Sequence, residues 1–441
     1  MSSHILLRNA TMLVPFHESN DYVVPLWGHS LLITHNKIAQ IGQDFTPPTG
    51  AEIIDCNDKF ISPGFIDTHH HLWQTQLKGR HANQTLSEYM PNGPIGYMQN
   101  SNYEPEVVFW GELGGCLEAL DGGTTTVVDH AHVNVSAAHT SNAVEATASS
   151  GIRSVFCYAP TMRVKTFKPD LALEGGLLDE WVIDSLRYLG ANAPFGDGRI
   201  HLGLAFDGFM LSKGRVVSLY AEARRLGVKL ITTHYVKGLF NDDSVVDILD
   251  SCGALGIDCH SNDSGDIVSQ MRLALQHERA SRNEQLTSKG KTTLSLNLFV
   301  QDVFRLSTRQ GSRAIQMDDK LGSLEVGKPA DLVIFESNSP GMVCASEEAP
   351  VAAIVLHSSV RDIDTVIVDG HVRKRNGKLC TVQIDPSMKG VKIPRQSVEW
   401  NEVARQLTSS RGRIQDAIAK VGAIEPERLT KAFTKLAHIN G

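Results

Sequence analysis

The spacing of apolar positions changes character twice along the chain. Residues 4–62 carry short alternating or β-rich runs, HILLRNATMLV, HSLLITHNKIAQIG and AEIIDC, broken at Asn-Lys, Pro-Pro and Gly. Residues 323–380 have the same texture in SLEVG, ADLVIFE, VAAIVLH and DTVIVDGHVRKRNG. Between them, strand and helix patterns alternate. Strands are predicted at 65–69, 124–130, 152–158, 199–206, 229–234 and 254–258. Amphipathic helices are predicted at 105–120, 141–150, 177–189, 215–226 and 244–251. Such alternation implies a parallel sheet with crossover helices. The apolar cores VVD, SVF, LGLAF and KLIT suit strands buried on both faces. Polar and chelating residues close several of these strands. That favours a TIM-like (β/α) barrel over an open sheet, because barrel enzymes place their chemistry at strand C-termini. The tail, 398–439, predicts helices that cover the barrel.

Composition narrows the function. A chain of 441 residues accommodates a barrel plus a small companion domain. A net charge of −7 gives no basic face for nucleic acid and suits an enzyme acting on a small molecule. No 18-residue apolar stretch and no basic-then-apolar leader is evident, so no membrane association and a cytoplasmic location are expected. The seven cysteines include no CxxC and are odd in number, which fits a reducing compartment.

The strongest chemical signal is PGFIDTHHHLWQT, residues 63–75. His69 and His71 end a predicted strand, and positions i and i+2 of a strand point to one side. Both imidazoles can therefore face one ion at a barrel mouth, while His70 points away. His234 closes VKLITTH, and Asp258 closes ALGID. Three imidazoles and one carboxylate suit a borderline divalent cation, zinc first, with Fe2+ or Mn2+ also compatible. Asp258 is the candidate proton acceptor from the attacking water. Trp73 and Gln74 follow the motif and are candidates to line a substrate pocket. His130 and His132 repeat the H-x-H spacing after the second strand, with His130 a candidate substrate contact or a supporting residue. Asp207 ends the fourth strand and could touch substrate; a capping or turn role is equally open. His260 is expected in a loop, and Arg80 and His81 at the surface or in a loop.

These motifs resemble the amidohydrolase superfamily, in its branch acting on ring systems. PGFIDTHHH resembles the strand-one H-x-H, GGTTTVVD strand two, TTH at 232–234 the strand-five histidine, and GIDCHSND the strand-eight aspartate. LGSLEVGKPADLVIF and VIVDGHVRKRNGKL resemble the return into a flanking β-domain. The resemblance spans residues 4–380. It implies a metal-dependent hydrolase of non-peptide C–N bonds and, weakly, a homodimer. Two-metal relatives carry a carboxylated lysine in strand four; RIHLGLAF has none, which favours one metal.

Two departures stand out. Ring deaminases of the family carry H-x-x-E after strand five, and here the string is His234-Tyr235-Val236-Lys237. Lysine cannot do that glutamate's proton shuttling, which argues against a purine or pyrimidine deaminase. The larger departure is one of length. His234 and Asp258 stand 24 residues apart, although they match strands five and eight. A full barrel averages about 31 residues per strand-to-strand step, and one βαβ unit needs roughly 30. The expected fold is thus α/β, an incomplete barrel of six strands, plus a small β-sandwich made from the N- and C-terminal segments. Strands six and seven are missing at a join near 253–254, and with them the strand-six histidine that orients the attacking water. The expected domains are 1–62 and 321–380 (the sandwich), 63–320 (the barrel) and 381–441 (a helical extension). A catalytically impaired remnant that still binds metal is the alternative.

Overall fold

The computed structural model describes residues 4–16, 22–43, 45–84, 103–166, 172–208, 211–234, 253–385 and 396–421. The helix expected at 244–251, Lys237 and the tail beyond 421 lie outside the described residues.

The N-terminal strands are β1 (His4–Pro15), β2 (Val23–Thr34), β3 (Lys37–Gly42), β4 (Glu52–Asp55) and β5 (Lys59–Pro63). They share one nine-stranded sheet with four later strands. The later strands are β13 (Leu332–Glu336), β14 (Ile363–Val368), β15 (His371–Arg375) and β16 (Lys378–Leu379). The order is β16-β15-β14-β13-β5-β1-β2-β3, with β4 beside β1. The two segments meet where β5 runs antiparallel to β13, Pro63 opposite Leu332 and Lys59 opposite Glu336. Period-two alternation divides their side chains between two cores. Leu7, Leu31, Ile33, Ile61, Leu332, Ile334 and Ile367 gather in a core made of this sheet and its loops. Phe60, Val333, Phe335 and Val366 face the other way, onto Phe109 and Leu113 of helix α1 (Pro105–Asp121).

The middle of the chain forms a five-stranded parallel sheet, with strands β6 (Phe65–His70), β7 (Thr124–Ala131), β8 (Arg153–Tyr158), β11 (Ile200–Ala205) and β12 (Ile231–Thr232), in the order β12-β11-β8-β7-β6. A short hairpin, β9 (Val164–Thr166) and β10 (Ala172–Leu173), follows β8. Helices α1, α2 (Ala137–Ser150), α3 (Glu180–Asn192) and α4 (Lys213–Arg225) make the crossovers, each within a few residues of its expected bounds. All residues of β7 and β8 are buried, as parallel strands covered on both faces should be. Ile66, Val128, Val155, Cys157 and Ala205 form an inner layer against Ile315 and Leu321. Gly203 on β11 is required there, since a Cβ would sit 2.4 Å from Cys157 Sγ.

The strand expected at 229–234 is shorter as a ladder, but Leu204 N–H donates to Leu230 O and Phe206 N–H to Thr232 O. The segment expected as the last strand lies beside β6, on the edge away from β12. Thr68 N–H donates to Leu255 O, and His70 and Asp258 form a parallel bridge.

Helices α5 (Ile267–Thr287), α6 (Val300–Leu306) and α7 (Arg309–Ala314) follow. The last described helix, α8 (Trp400–Val421), packs on α1 and the short 3-10 helix Leu72–Leu77. Arg411 donates to Lys78 O at 2.7 Å, and Gln76 Nε2 to Ser410 Oγ at 3.2 Å. No helix among the described residues is long and apolar enough to cross a membrane.

Candidate metal centre

Four strand ends converge on one spot. His69 and His71 come from the end of β6 and the residue after it, His234 follows β12, and Asp258 is brought in by the bridge to His70. His234 Nε2 lies 3.2 Å from His69 Nε2 and 3.0 Å from His71 Nε2. Asp258 Oδ1 is 2.9 Å from His71 Nε2, 3.5 Å from His69 Nε2 and 4.0 Å from His234 Nε2.

Hydrogen bonds on the far sides of the rings fix what these nitrogens offer. His71 Nδ1 is 2.9 Å from the His130 carbonyl, which can only accept, so Nδ1 carries the proton and Nε2 a lone pair. His234 Nδ1 is 2.8 Å from Asp207 Oδ2, with the same consequence. Lone pairs and a carboxylate oxygen aimed at one point repel unless a positive charge sits among them. Two ligand nitrogens each about 2.0–2.1 Å from a tetrahedral zinc stand about 3.3 Å apart, close to the spacings found. The donor set fits a divalent cation.

Burial and fields act in the same sense. Burial pushes the His71 imidazole down to about 4 against the pull of Asp258, keeping the ring neutral. Burial raises Asp258, but the His69 and His71 rings beside it outweigh this and hold the carboxylate well below its usual range. Asp258 has φ +62°, a left-handed conformation that aspartate tolerates better than most residues.

The side chains packed around the cluster are buried. His70 points away as expected, its Nδ1 2.8 Å from Asp67 Oδ2. His130 is buried, with Nε2 3.3 Å from Asp207 Oδ2, and burial lowers it to about 3. Trp73 and Gln74 are buried in the short helix after the motif. Trp73 Nε1–H donates to His132 Nδ1 at 2.8 Å, and Gln74 Oε1 accepts from Ser261 Oγ at 3.0 Å. His132 stacks on His71 with ring centroids 4.1 Å apart. His260 is fully buried, Nδ1 3.2 Å from Glu118 Oε2 and ring edge-on to His70. His81 lies in the bend after the short helix, in keeping with the loop reading, and is buried there, with Nδ1 2.7 Å from Gln84 Oε1.

Asp67 was given no role from sequence, although it lies inside the motif. Its Oδ1 accepts from His69 N at 3.1 Å and Ile257 N at 3.2 Å, tying the H-x-H strand to the Asp258 segment. A buried aspartate two residues before a ligand was the signal that could have found it.

The chain is similar to a set of known proteins. The sequence profile described as the amidohydrolase family matches residues 60–185 and 241–373. A 5'-deoxyadenosine deaminase of Methanobrevibacter smithii is 25% identical, the match covering 86% of this chain and 94% of that protein. A 5-methylthioadenosine/S-adenosylhomocysteine deaminase of Thermococcus sibiricus is also 25% identical, covering 80% and 92%. Among solved structures, a zinc-bound adenosine deaminase from Xanthomonas campestris superposes with a TM-score of 0.71 at 16% identity, covering 93% of this chain and 98% of that one. An atrazine chlorohydrolase from Arthrobacter aurescens, complexed with zinc, gives 0.64 at 18% identity, covering 92% and 100%.

Proposed function

The chain belongs to the amidohydrolase family, and from that premise we propose that it hydrolyses a non-peptide C–N bond of a small molecule at one divalent metal. The proposed ligands are His69, His71, His234 and Asp258. The observation that carries this reading is the convergence of three imidazole Nε2 atoms and Asp258 Oδ1 within 4.8 Å of one another. Zinc is the preferred occupant, because neutral imidazoles with one carboxylate suit a borderline cation. Such a cation supplies Lewis acidity and a bound water of lowered pKa. Asp258 faces solvent at the mouth of the cluster, with its side chain 57% exposed. It accepts the proton of the attacking water as that water adds to an sp2 carbon. Trp73, Gln74 and His130 are buried beneath the cluster and would shape the substrate site from there.

The named relatives are ring deaminases, whereas Lys237 stands where the resemblance expects their glutamate. The reading therefore stops at C–N hydrolysis. We propose further that residues 63–320 form a six-stranded barrel lacking two βα units at 253–254. Residues 1–62 and 321–380 would form the flanking sandwich, and 381–441 the helical extension. The short barrel is supported by the 24 residues between His234 and Asp258, and the sandwich by the core that the nine-stranded sheet encloses on one face.

The test is metal analysis of the purified 441-residue protein, followed by assay on amides, ureas, and aminated and chlorinated rings, reading ammonia and chloride. About one metal per chain and turnover lost to a chelator and regained with zinc are expected. Turnover indifferent to chelation overturns the metal reading. Tight zinc with no turnover on any substrate class overturns the hydrolase reading and leaves a metal-binding remnant.

A further inference from the structure

Asp207 follows β11 at the register where Phe206 N–H still pairs with Thr232 O, which sets its carboxylate against the end of the neighbouring strand. Oδ1 accepts from Thr233 Oγ1 at 2.9 Å and from the His234 backbone N–H at 2.8 Å. Oδ2 accepts from His234 Nδ1 at 2.8 Å and stands 3.3 Å from His130 Nε2. An ionised carboxylate has about four lone-pair sites; three donors occupy them, and His130 Nε2 crowds the remaining side at 3.3 Å. Little acceptor capacity is left for a substrate, even though the side chain is 41% exposed.

We propose that Asp207 is a positioning residue, acting through His234. It fixes the proton on Nδ1 and the ring plane, so that the Nε2 lone pair faces His69, His71 and Asp258. The same carboxylate holds His130 against the cluster. Because it grips both the backbone and the ring of His234, it sets where that residue sits as well as which nitrogen is free. Carboxylate–histidine pairs of this kind orient a ligand and raise its basicity, and losing them costs about 10–100-fold in metal affinity. This inference rests on His234 being a metal ligand, as in the proposed function, and replaces the substrate contact that the sequence left open for Asp207.

Asp207→Asn separates the two roles. Its amide NH2 can donate to His234 Nδ1, moving the ring proton to Nε2 and turning a donor nitrogen into a blocked one. Two measurements on the full chain read this. Nitrogen-15 NMR of histidine-labelled, metal-free protein reads the His234 tautomer, assigned by its loss in His234→Gln. Competition with a chromophoric chelator gives the zinc Kd. The expected result is an Nδ1–H tautomer in the wild type, Nε2–H in Asp207→Asn, and zinc binding weakened by about 10–100-fold. Zinc binding by Asp207→Glu, which keeps the charge, should lie between those of Asp207→Asn and wild type. An unchanged tautomer with zinc affinity within threefold of wild type overturns the positioning role. A wild type that binds no zinc overturns the metal-centre reading instead, while the tautomer measurement still decides what Asp207 does.

Discussion

Asp258 and His70 stand opposite one another in a parallel bridge, and that pairing delivers the last strand's carboxylate to the first strand's histidines. Asp258 N–H donates to His69 O at 2.8 Å, and His71 N–H donates to Asp258 O at 3.0 Å. The ligand that closes the cluster is thus placed by backbone hydrogen bonds, not by a flexible loop, so its side chain can be changed without moving the chain.

Asp258→Asn tests this directly. Asparagine accepts the +62° backbone and keeps the bridge, but it neither takes a proton nor carries charge. Turnover is expected to fall by about 100- to 10,000-fold, with the thermal midpoint of the metal-free protein unchanged. A variant that keeps more than a tenth of wild-type turnover would remove Asp258 from the acid–base role.

Arg153 joins the barrel to the flanking sheet. Its Nε is 2.7 Å from Asp331 Oδ2, and its Nη2 is 3.1 Å from Asp331 Oδ1 and 3.0 Å from Asp369 Oδ1, all buried. Asp369 N–H also donates to Asp331 Oδ1 at 2.6 Å. Arg153→Met strands two buried carboxylates, at a cost of about 3–5 kcal/mol. Differential scanning fluorimetry should show the midpoint falling by roughly 3–5 °C, and Asp331→Asn with Asp369→Asn in the same chain should restore part of it. An unchanged midpoint would mean the clamp contributes nothing net.

Glu112 of α1 and Asp129 of β7 lie together in the core, with Thr147 donating to Glu112 Oε1 at 2.9 Å. Burial raises both carboxyls, Asp129 to about 7, and Asp67 and His70 of β6 act on Asp129 from the other side. Folded-state pKa values above the unfolded ones mean that the folded chain binds more protons between about pH 4 and 7. This pair's contribution to stability is therefore present at low pH and lost as pH rises through that window. Glu112→Gln mimics the protonated form. Urea denaturation across pH 4–8 should show the variant gaining on wild type as pH rises. A stability difference that does not vary with pH would refute the raised titration of this pair.

The barrel strands and their helices were legible because buried parallel strands and amphipathic crossovers leave long, distinct periods. His69, His71, His234 and Asp258 were legible because each ends such a strand. Asp67, His132 and His260 were harder to read. What they do depends on which ring or backbone group lies across the sheet, such as the stack of His132 on His71 or the Asp67 fork to Ile257. Nothing in local spacing encodes those contacts. Asp207 was placed at the right strand end, but its hydrogen bonds from Thr233 and His234 and its approach to His130 are visible only in three dimensions.

The length between His234 and Asp258 yields the last prediction. A parallel step needs a strand, a crossover helix and two loops, about 31 residues in a barrel of this kind. The 24 residues present span one step, yet the two ends match strands five and eight. Asp258 nonetheless reaches His71, because it pairs with β6. On the proposed six-stranded reading, convergence of the four side chains survives, whereas the strand-six histidine that the resemblance expects to orient the attacking water is lost. Sequencing the transcript across codons 240–262 should give a longer product with on the order of 50 additional codons ending a strand in histidine. That longer chain should turn over substrate at least 100-fold faster than the 441-residue form, the usual scale for one acid–base or orienting group. If only the short transcript exists and its product turns over as fast as a full barrel, then Asp258 alone suffices to manage the water, and the missing-unit reading falls.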